Sequence, residues 1–134
     1  FDLDGADCEI VLEKNIEFVS LCEHHLLPFT GHVHIAYIPS KSVVGLSKFG
    51  RVTDILSRRL QVQERLTSEI AECFYTSELQ PQGVAVTCSA KHSCMCIRGV
   101  RKNDPFTTTS AYRGCFATDP EKKKEYMDLL KFNV

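Results

Sequence analysis

The stretch "GHVHIAYIP", residues 31–39, alternates in the manner of a β-strand, and the chain after it changes to helical spacing. Val33, Ile35 and Tyr37 share one face by the period of two, and Pro39 ends the run because proline cannot donate to a sheet. The apolar positions that follow recur with a period near 3.6, which is typical of a helix. This change of period marks the step from strands to helices, and the full order of elements, β-β-α-α-β-β-α, favours an α+β fold.

Further strands are predicted on both sides of this stretch. Residues 8–22 carry partly alternating β-branched and aromatic residues and predict the preceding strand, while segments 83–100 and 106–116 predict two later strands joined by a polar turn. The order β-β-α-α-β-β-α describes a single domain, residues 1–134, with two antiparallel hairpins. Because the edges of such a short sheet would stay unpaired in a monomer, the chain is expected to form oligomers.

The helices are predicted from capping residues and apolar spacing. Ser47 is placed as the N-cap of the first helix, and Thr118 with Glu121 forms a capping box for the last one. The positions expected to share a face are Val52, Ile55, Leu56 and Leu60 in the first helix, Val62, Leu66, Ile70, Cys73 and Phe74 in the second, and Tyr126, Leu129 and Leu130 in the last.

The composition is that of an ordinary globular domain without a strong charge. Of 134 residues, 43% are hydrophobic and 25% charged, with 16 Lys and Arg against 17 Asp and Glu and a formal net charge of −1. This balance argues against a nucleic-acid partner, and no apolar run approaches the roughly 18–20 residues of a membrane span. The seven cysteines are odd in number and irregularly spaced, which favours free thiols in the reducing cytoplasm over a disulfide framework.

Side chains that carry chemistry are crowded in "CEHH", residues 22–25. Such groups are costly to bury without partners, so the crowding indicates a site. Cys22 and His25 have the short spacing of a pair of zinc ligands, although this pattern on its own is a weak signal.

A second group lies on the predicted strand 83–100. The period of two places His92, Cys94 and Cys96 on one face, where a thiol could complete three ligands, the number found at catalytic zinc sites that also hold water. His24, His92 or Cys96 as a fourth ligand would make the site structural, and the residue types leave this open. Read singly, each of these residues is more typical of a protein core.

The stretch "GLSKFGR", residues 45–51, places Lys48 and Arg51 on one face at the start of the first helix. The helix dipole disfavours cations there, and an anion bound by the free N–H groups would remove the conflict. A solvated first turn fits equally well. Glu64, which opens the second helix, is by itself typical of a surface residue that compensates the dipole.

Taken together, "CEHH", "GLSKFGR", "QVQERLT" and "HSCMCIRGV" closely resemble GTP cyclohydrolase I over nearly the whole chain. The resemblance implies the tunnelling fold, an antiparallel sheet with two helices packed on one face, whose subunits join into rings and usually into a homodecamer of two pentamers. It implies zinc-dependent hydrolysis of GTP at guanine C8, which releases formate and gives 7,8-dihydroneopterin triphosphate for folate or tetrahydrobiopterin synthesis. A helical segment that precedes this region in the family is expected to help assembly, and binding of a regulatory protein is left open.

The same resemblance assigns site residues by position. The implied residues are Cys22, His25 and Cys94 for Zn²⁺, His24 and His92 for proton transfer, Gln63 and Glu64 for the purine, and Ser47, Lys48, Arg51 and Arg98 for ribose and triphosphate. Cys96 matches no ligand and is expected to be structural.

Two other functions fit part of the pattern. A nitrile reductase of the same fold would use a cysteine nucleophile and a nicotinamide cofactor, and the paired "CEHH" and "HSC" motifs argue against it. A zinc-stabilised binding subunit without turnover would hold zinc and release no formate. The H-x-E and P-C-x-x-C signatures of cytidine deaminases are absent from the sequence, which argues against that class.

Overall fold

The computed structural model describes residues 9–93 and 105–132, which form a five-stranded sheet with helices on both faces. The strands, in the sheet order β3-β1-β2-β4-β5, are β1 (Val11–Cys22), β2 (Pro28–Ile38), β3 (Leu60–Gln61), β4 (Gly83–His92) and β5 (Thr107–Gly114). The helices are α1 (Ser47–Ser57), α2 (Gln63–Tyr75), α3 (Cys115–Thr118) and α4 (Pro120–Lys131). The α+β order is confirmed, with β3 and α3 as additions, and the predicted end of the strand at 94–100 lies outside the described residues.

The strand pairs β1–β2, β2–β4 and β4–β5 are antiparallel, as predicted for the hairpins. The exception is β3, which runs parallel to β1 and pairs Leu60 with Leu21 and Gln61 with Cys22. The prediction of a wholly antiparallel sheet is therefore wrong at this edge. The pairing matters for the site because it attaches the end of β1 to the segment between α1 and α2.

The alternation of β2 and β4 divides the interior into two cores. Helices α1 and α2 cover one face, where Phe18, Phe29, Val33, Ile35, Val84, Val86, Phe49, Leu66, Ile70 and Phe74 pack together. The other face carries Ala36, Ile38 and Ala85, over which α3 and α4 place Phe116 and Tyr126. None of the helices in these two described ranges is both long and apolar enough to cross a membrane.

The first helix differs from its prediction at both ends. Ser47 is its first helical residue and Leu46 is the N-cap, which makes no side-chain capping bond. Ile55 is 66% exposed. Leu60 leaves the helix altogether because its backbone pairs with β1. Sheet pairing thus overrides a helical repeat that continues in the sequence.

The later helices differ in smaller ways. In α2 the predicted apolar face is buried at Leu66, Ile70 and Phe74, whereas Cys73 is exposed. The N-cap of α4 is Asp119, whose side chain accepts from the N–H of Glu121. Thr118 is therefore not the cap: Pro120 favours the first helical position and keeps the residue before it extended.

Gly31 marks the closest approach between β2 and β4. A Cβ on Gly31 would lie 2.0 Å from the backbone oxygen of Ser89, so Gly31→Ala is expected to lower the free energy of unfolding by about 1–3 kcal/mol. Gly50→Ala is the matched control, because no atom lies within 4 Å of a Cβ there and alanine favours the helix interior by roughly 0.5–1 kcal/mol. Urea unfolding measures both changes, and a Gly31→Ala protein of wild-type stability would contradict this packing.

Candidate active site

The turn between β1 and β2 presents the first group of predicted site residues. The N–H of Cys22 donates to the carbonyl of Leu27 at 2.9 Å, and the N–H of Leu26 donates to the carbonyl of Cys22 at 2.8 Å. Leu26 has a φ of +55°, a left-handed conformation that lets the chain reverse within a few residues. The turn buries Cys22 and leaves His24 and His25 exposed.

The thiol and one imidazole of this turn lie at a separation that suits a shared metal ion. Cys22 Sγ is 3.9 Å from His25 Nδ1. In a tetrahedral site with Zn–S of about 2.3 Å and Zn–N of about 2.0–2.1 Å, these atoms are roughly 3.5 Å apart. His24 lies beside the pair, with its ring centroid 6.3 Å from that of His25. The donor set therefore fits zinc.

An ion pair that the sequence did not indicate attaches this turn to α2. Arg65 Nη2 donates to Glu23 Oε2 at 2.5 Å and to the carbonyl of Leu60 at 3.1 Å, and its Nε donates to Gln61 Oε1 at 3.0 Å. The hydrogen bond from Arg65 lowers the pKa of the Glu23 carboxyl. The backbone N–H of Glu23 also donates to the carbonyl of Gln61. These contacts fix the residue between Cys22 and His24 from two sides.

His92 stands at the end of β4, opposite Phe29 of β2. The two rings are parallel, with an interplanar angle of 1° and centroids 4.7 Å apart. His92 Nε2 is 2.7 Å from Gln63 Oε1. Partial burial lowers the pKa of His92, while the charge of Glu64 acts in the opposite direction. The imidazole is therefore held in one orientation and favoured in its neutral form.

The two residues predicted for the purine differ in their surroundings. Gln63 is 2% exposed, and its Nε2 lies 2.8 Å from Thr107 O and 3.2 Å from Cys88 O. Glu64 is exposed and lines a groove of about 550 Å³ together with residues of β5. The carboxylate of Glu64 is thus accessible to a ligand from this groove, whereas the amide of Gln63 is used inside the protein.

The residues predicted for the phosphates lie at the other end of the sheet. Phe49, in the first turn of α1, packs against Tyr37, with ring centroids 5.7 Å apart. Tyr37 is eight residues beyond Phe29 on β2, which corresponds to about 27 Å at about 3.4 Å per residue. Within one subunit, Ser47 and Lys48 are therefore far from His92. Arg51 is exposed one turn further along α1, whose last turn lines a groove with Thr30 and Lys91.

Three predicted residues fall outside the described ranges: Cys94, Cys96 and Arg98. Among the residues that are described, no three His, Cys, Asp or Glu side chains are grouped as a metal site. The structure brings together Cys22 with His25, and His92 with Gln63 and Glu64.

Comparison with known proteins identifies relatives of nearly the full chain. The family model described as GTP cyclohydrolase I matches residues 2–131. "GTP cyclohydrolase 1" of Deinococcus radiodurans is 51% identical over 131 residues, which are 98% of this chain and 59% of that protein. The Helicobacter pylori protein of the same name is 49% identical over 127 residues, which are 95% of this chain and 70% of that protein. The chain thus spans 59% and 70% of these relatives' lengths.

Solved structures agree on the fold. An apo archaeosine synthase QueF-like protein superposes with a TM-score of 0.66 at 19% identity, covering 81% of this chain and 97% of its own. A dihydroneopterin aldolase from Burkholderia, bound to guanine, gives a TM-score of 0.55 at 14% identity, covering 80% and 91%. Both are tunnelling-fold proteins, so the predicted fold class is confirmed.

Proposed function

This chain belongs to the GTP cyclohydrolase I family, and from that premise we propose that it hydrolyses GTP at guanine C8, releases formate and forms 7,8-dihydroneopterin triphosphate. The observation that carries the proposal is the identity of about half of all positions to named GTP cyclohydrolases over 95–98% of the chain. The paired Cys22 and His25, and the oriented His92 beside Glu64, supply the matching chemistry. The product would enter pterin synthesis, and the proposed compartment is the cytoplasm.

The proposed metal ion is zinc, held by Cys22 and His25 of the described residues and by Cys94. When bound there, zinc supplies a water that is reactive at neutral pH, because it lowers the pKa of that water from about 15.7 towards about 7. The structural support is the 3.9 Å separation of the first two donor atoms and the way the turn fixes them. Arg65 contributes by holding Glu23 within the turn.

The remaining residues bind the substrate and move protons. Glu64 accepts hydrogen bonds from N1–H and the 2-amino group of guanine, which pair well with a carboxylate. His92, whose neutral form is favoured by burial, exchanges a proton with the purine as its five-membered ring opens. His24 is exposed next to His25 and is proposed to assist at the water. Lys48, together with Ser47, Arg51 and Arg98, aligns the ribose and triphosphate, which stay attached throughout.

The direct test is formate release. Zinc-loaded protein is incubated with GTP, formate is measured, and the oxidised product is examined for pterin fluorescence. Formate and a fluorescent pterin support the proposed reaction. Stoichiometric zinc and GTP binding without formate would instead identify a binding subunit, and NADPH oxidation with a nitrile substrate would identify a reductase.

The separation of the two predicted groups supports a site shared between copies of the chain. One small molecule must reach the imidazole of His92 and the cations at the start of α1, which stand at opposite ends of the sheet. An oligomer that sets one end of a subunit against the other end of its neighbour satisfies this need. It agrees with the unpaired outer edges of β3 and β5 in the described residues and with the proposed ring-based homodecamer.

A subunit-complementation experiment tests the shared site. Cys22→Ser and Lys48→Ala chains are each expected to have low activity, yet their co-expression should restore activity at roughly a quarter of the sites by random mixing. The control is a chain that carries both substitutions and is expressed alone, and it should stay inactive. If each site lay within a single subunit, no mixed oligomer would recover. Sedimentation of the same samples should show no active monomer.

A further inference from the structure

Gln63 is assigned to the purine by resemblance, but its burial and its hydrogen bonds indicate a different role. It is the first residue of α2, it is 2% exposed, and it packs against β4 and β5. Its Nε2 lies 2.8 Å from Thr107 O, 3.2 Å from Cys88 O and 3.2 Å from Thr109 Oγ1. An amide that is this deeply buried and this fully bonded has little capacity left for a ligand.

The backbone determines which way the amide of Gln63 points. Carbonyl oxygens accept hydrogen bonds and never donate them, so the atom facing Cys88 O and Thr107 O must be the NH₂ group. The reversed amide would set its oxygen against two carbonyl oxygens and would lose both bonds. The orientation is thus chemically determined, and Oε1 is the atom that meets His92.

The orientation of Gln63 in turn determines where the proton of His92 resides. Oε1 can only accept, and it is 2.7 Å from His92 Nε2, so Nε2 must be the nitrogen that carries hydrogen. In a neutral imidazole the other nitrogen, Nδ1, then has a free lone pair. No group within the described residues forms a hydrogen bond with Nδ1, and the imidazole stacks on the parallel ring of Phe29, with ring centroids 4.7 Å apart.

We propose that Gln63 is a positioning residue that holds His92 as its Nε2–H tautomer and leaves Nδ1 as the nitrogen that reacts. This inference rests on the proposed function for its catalytic meaning and deepens it by naming the working atom. Nδ1 takes a proton from the attacking water and returns it to the purine nitrogen as the ring opens. The imidazole is then again the Nε2–H tautomer, and no proton is gained or lost by the enzyme.

Gln63→Met removes the acceptor and keeps the approximate shape of the side chain. We expect kcat for formate release to fall roughly 10–100-fold, as is typical when a residue that orients a reacting group is lost, with KM for GTP and zinc content little changed. In protein labelled with ¹⁵N-histidine, the solid-state spectrum should change from the Nε2–H form of His92 to a mixture of tautomers. The His92 signal is identified by its absence from a His92→Phe protein.

Two further variants separate this role from a purely structural one. Gln63→Glu keeps an oxygen opposite Nε2 but turns its second oxygen towards Cys88 O and Thr107 O, so it should lower stability while the Nε2–H signal of His92 persists. If the methionine variant does not fold, the wild-type spectrum is the readout, and an Nδ1–H form there overturns the proposal. Thr87→Val is the matched control, because Thr87 is a buried polar residue of the same strand that bonds to Ser110 and Tyr126 on the other face. It should lower stability while kcat per folded molecule stays at the wild-type value.

The outcomes are distinguishable. A Gln63→Met protein with the wild-type tautomer and kcat overturns the proposal, and one with a raised KM and unchanged kcat makes Gln63 a substrate ligand instead. If the wild-type protein releases no formate, the proposed function fails, but the histidine spectrum still decides whether Gln63 sets the tautomer.

Discussion

Cys22→Ser is expected to abolish zinc binding and formate release together, which is the largest effect predicted for any substitution in this protein. Cys22 is buried at the end of β1 and lies 3.9 Å from its proposed fellow ligand His25. Changes in residues that merely orient metal ligands already cost 10–100-fold in affinity or activity, so loss of a ligand itself should exceed that range. Metal analysis after gel filtration, paired with the formate assay, measures both quantities.

Other thiols of the chain provide matched controls for this substitution. Cys73→Ser changes an exposed free thiol on α2 and should leave zinc content and activity at the wild-type values. Cys88 is buried against α2, and burial raises the pKa of its thiol to about 12, so it is inert as a ligand or nucleophile. Full zinc retention in Cys22→Ser would remove this residue from the proposed site.

The third proposed ligand is tested in the same assay. Cys94→Ser should lose zinc, and Cys96→Ser should retain it, because only Cys94 matches a zinc-ligand position of the GTP cyclohydrolase I family. The reverse result would assign the third ligand to Cys96, which the strand period places on the same face as Cys94.

The sequence predicts the elements of this fold well because its periodicities are strong. The alternation around Val33 and Ile35 predicts the face of β2 that is buried against α1 and α2. The helical spacing of Leu66 and Ile70 predicts the buried face of α2. Where prediction fails, a contact distant in sequence decides the outcome. Leu60 continues a helical repeat, yet its backbone pairs with β1, a partner that no local pattern reveals.

The candidate site shows the same division between local and distant information. The grouping of Cys22 with His25 is a local pattern and could be read from four residues. The fixing of Glu23 by Arg65 and of His92 by Gln63 joins residues 42 and 29 positions apart, so it requires the fold. A buried glutamine at a helix start gives no sequence signal of its own. The cap at Asp119 was predictable, since the proline after it disfavours a helical residue at that position.

The prediction with the next largest effect separates binding from chemistry, through Glu64 and His92. Glu64 is exposed on the groove that it lines with residues of β5, and its charge acts on His92, so its carboxylate is placed to pair with the guanine edge. Truncating one member of such a hydrogen-bonded charged pair typically costs about 2–5 kcal/mol, because the partner is left unpaired. Glu64→Gln should therefore weaken GTP binding, measured by calorimetry, while zinc content stays unchanged.

His92→Ala is expected to slow formate release and to leave GTP binding unchanged. The ring is held by Gln63 and Phe29 as a neutral imidazole, and removal of a group that transfers protons costs roughly 10²–10⁴-fold in rate. The variant should keep zinc and bind GTP with near wild-type affinity, yet release formate that much more slowly. His32→Ala is the matched control, because His32 has a half-exposed side chain on the neighbouring strand and its ion pair within the described ranges is with the exposed Glu17. If His92 were simply a core residue, His92→Ala would lower the melting temperature, and turnover would follow the folded fraction. A His92→Ala protein that is folded, zinc-loaded and fully active would remove His92 from the mechanism.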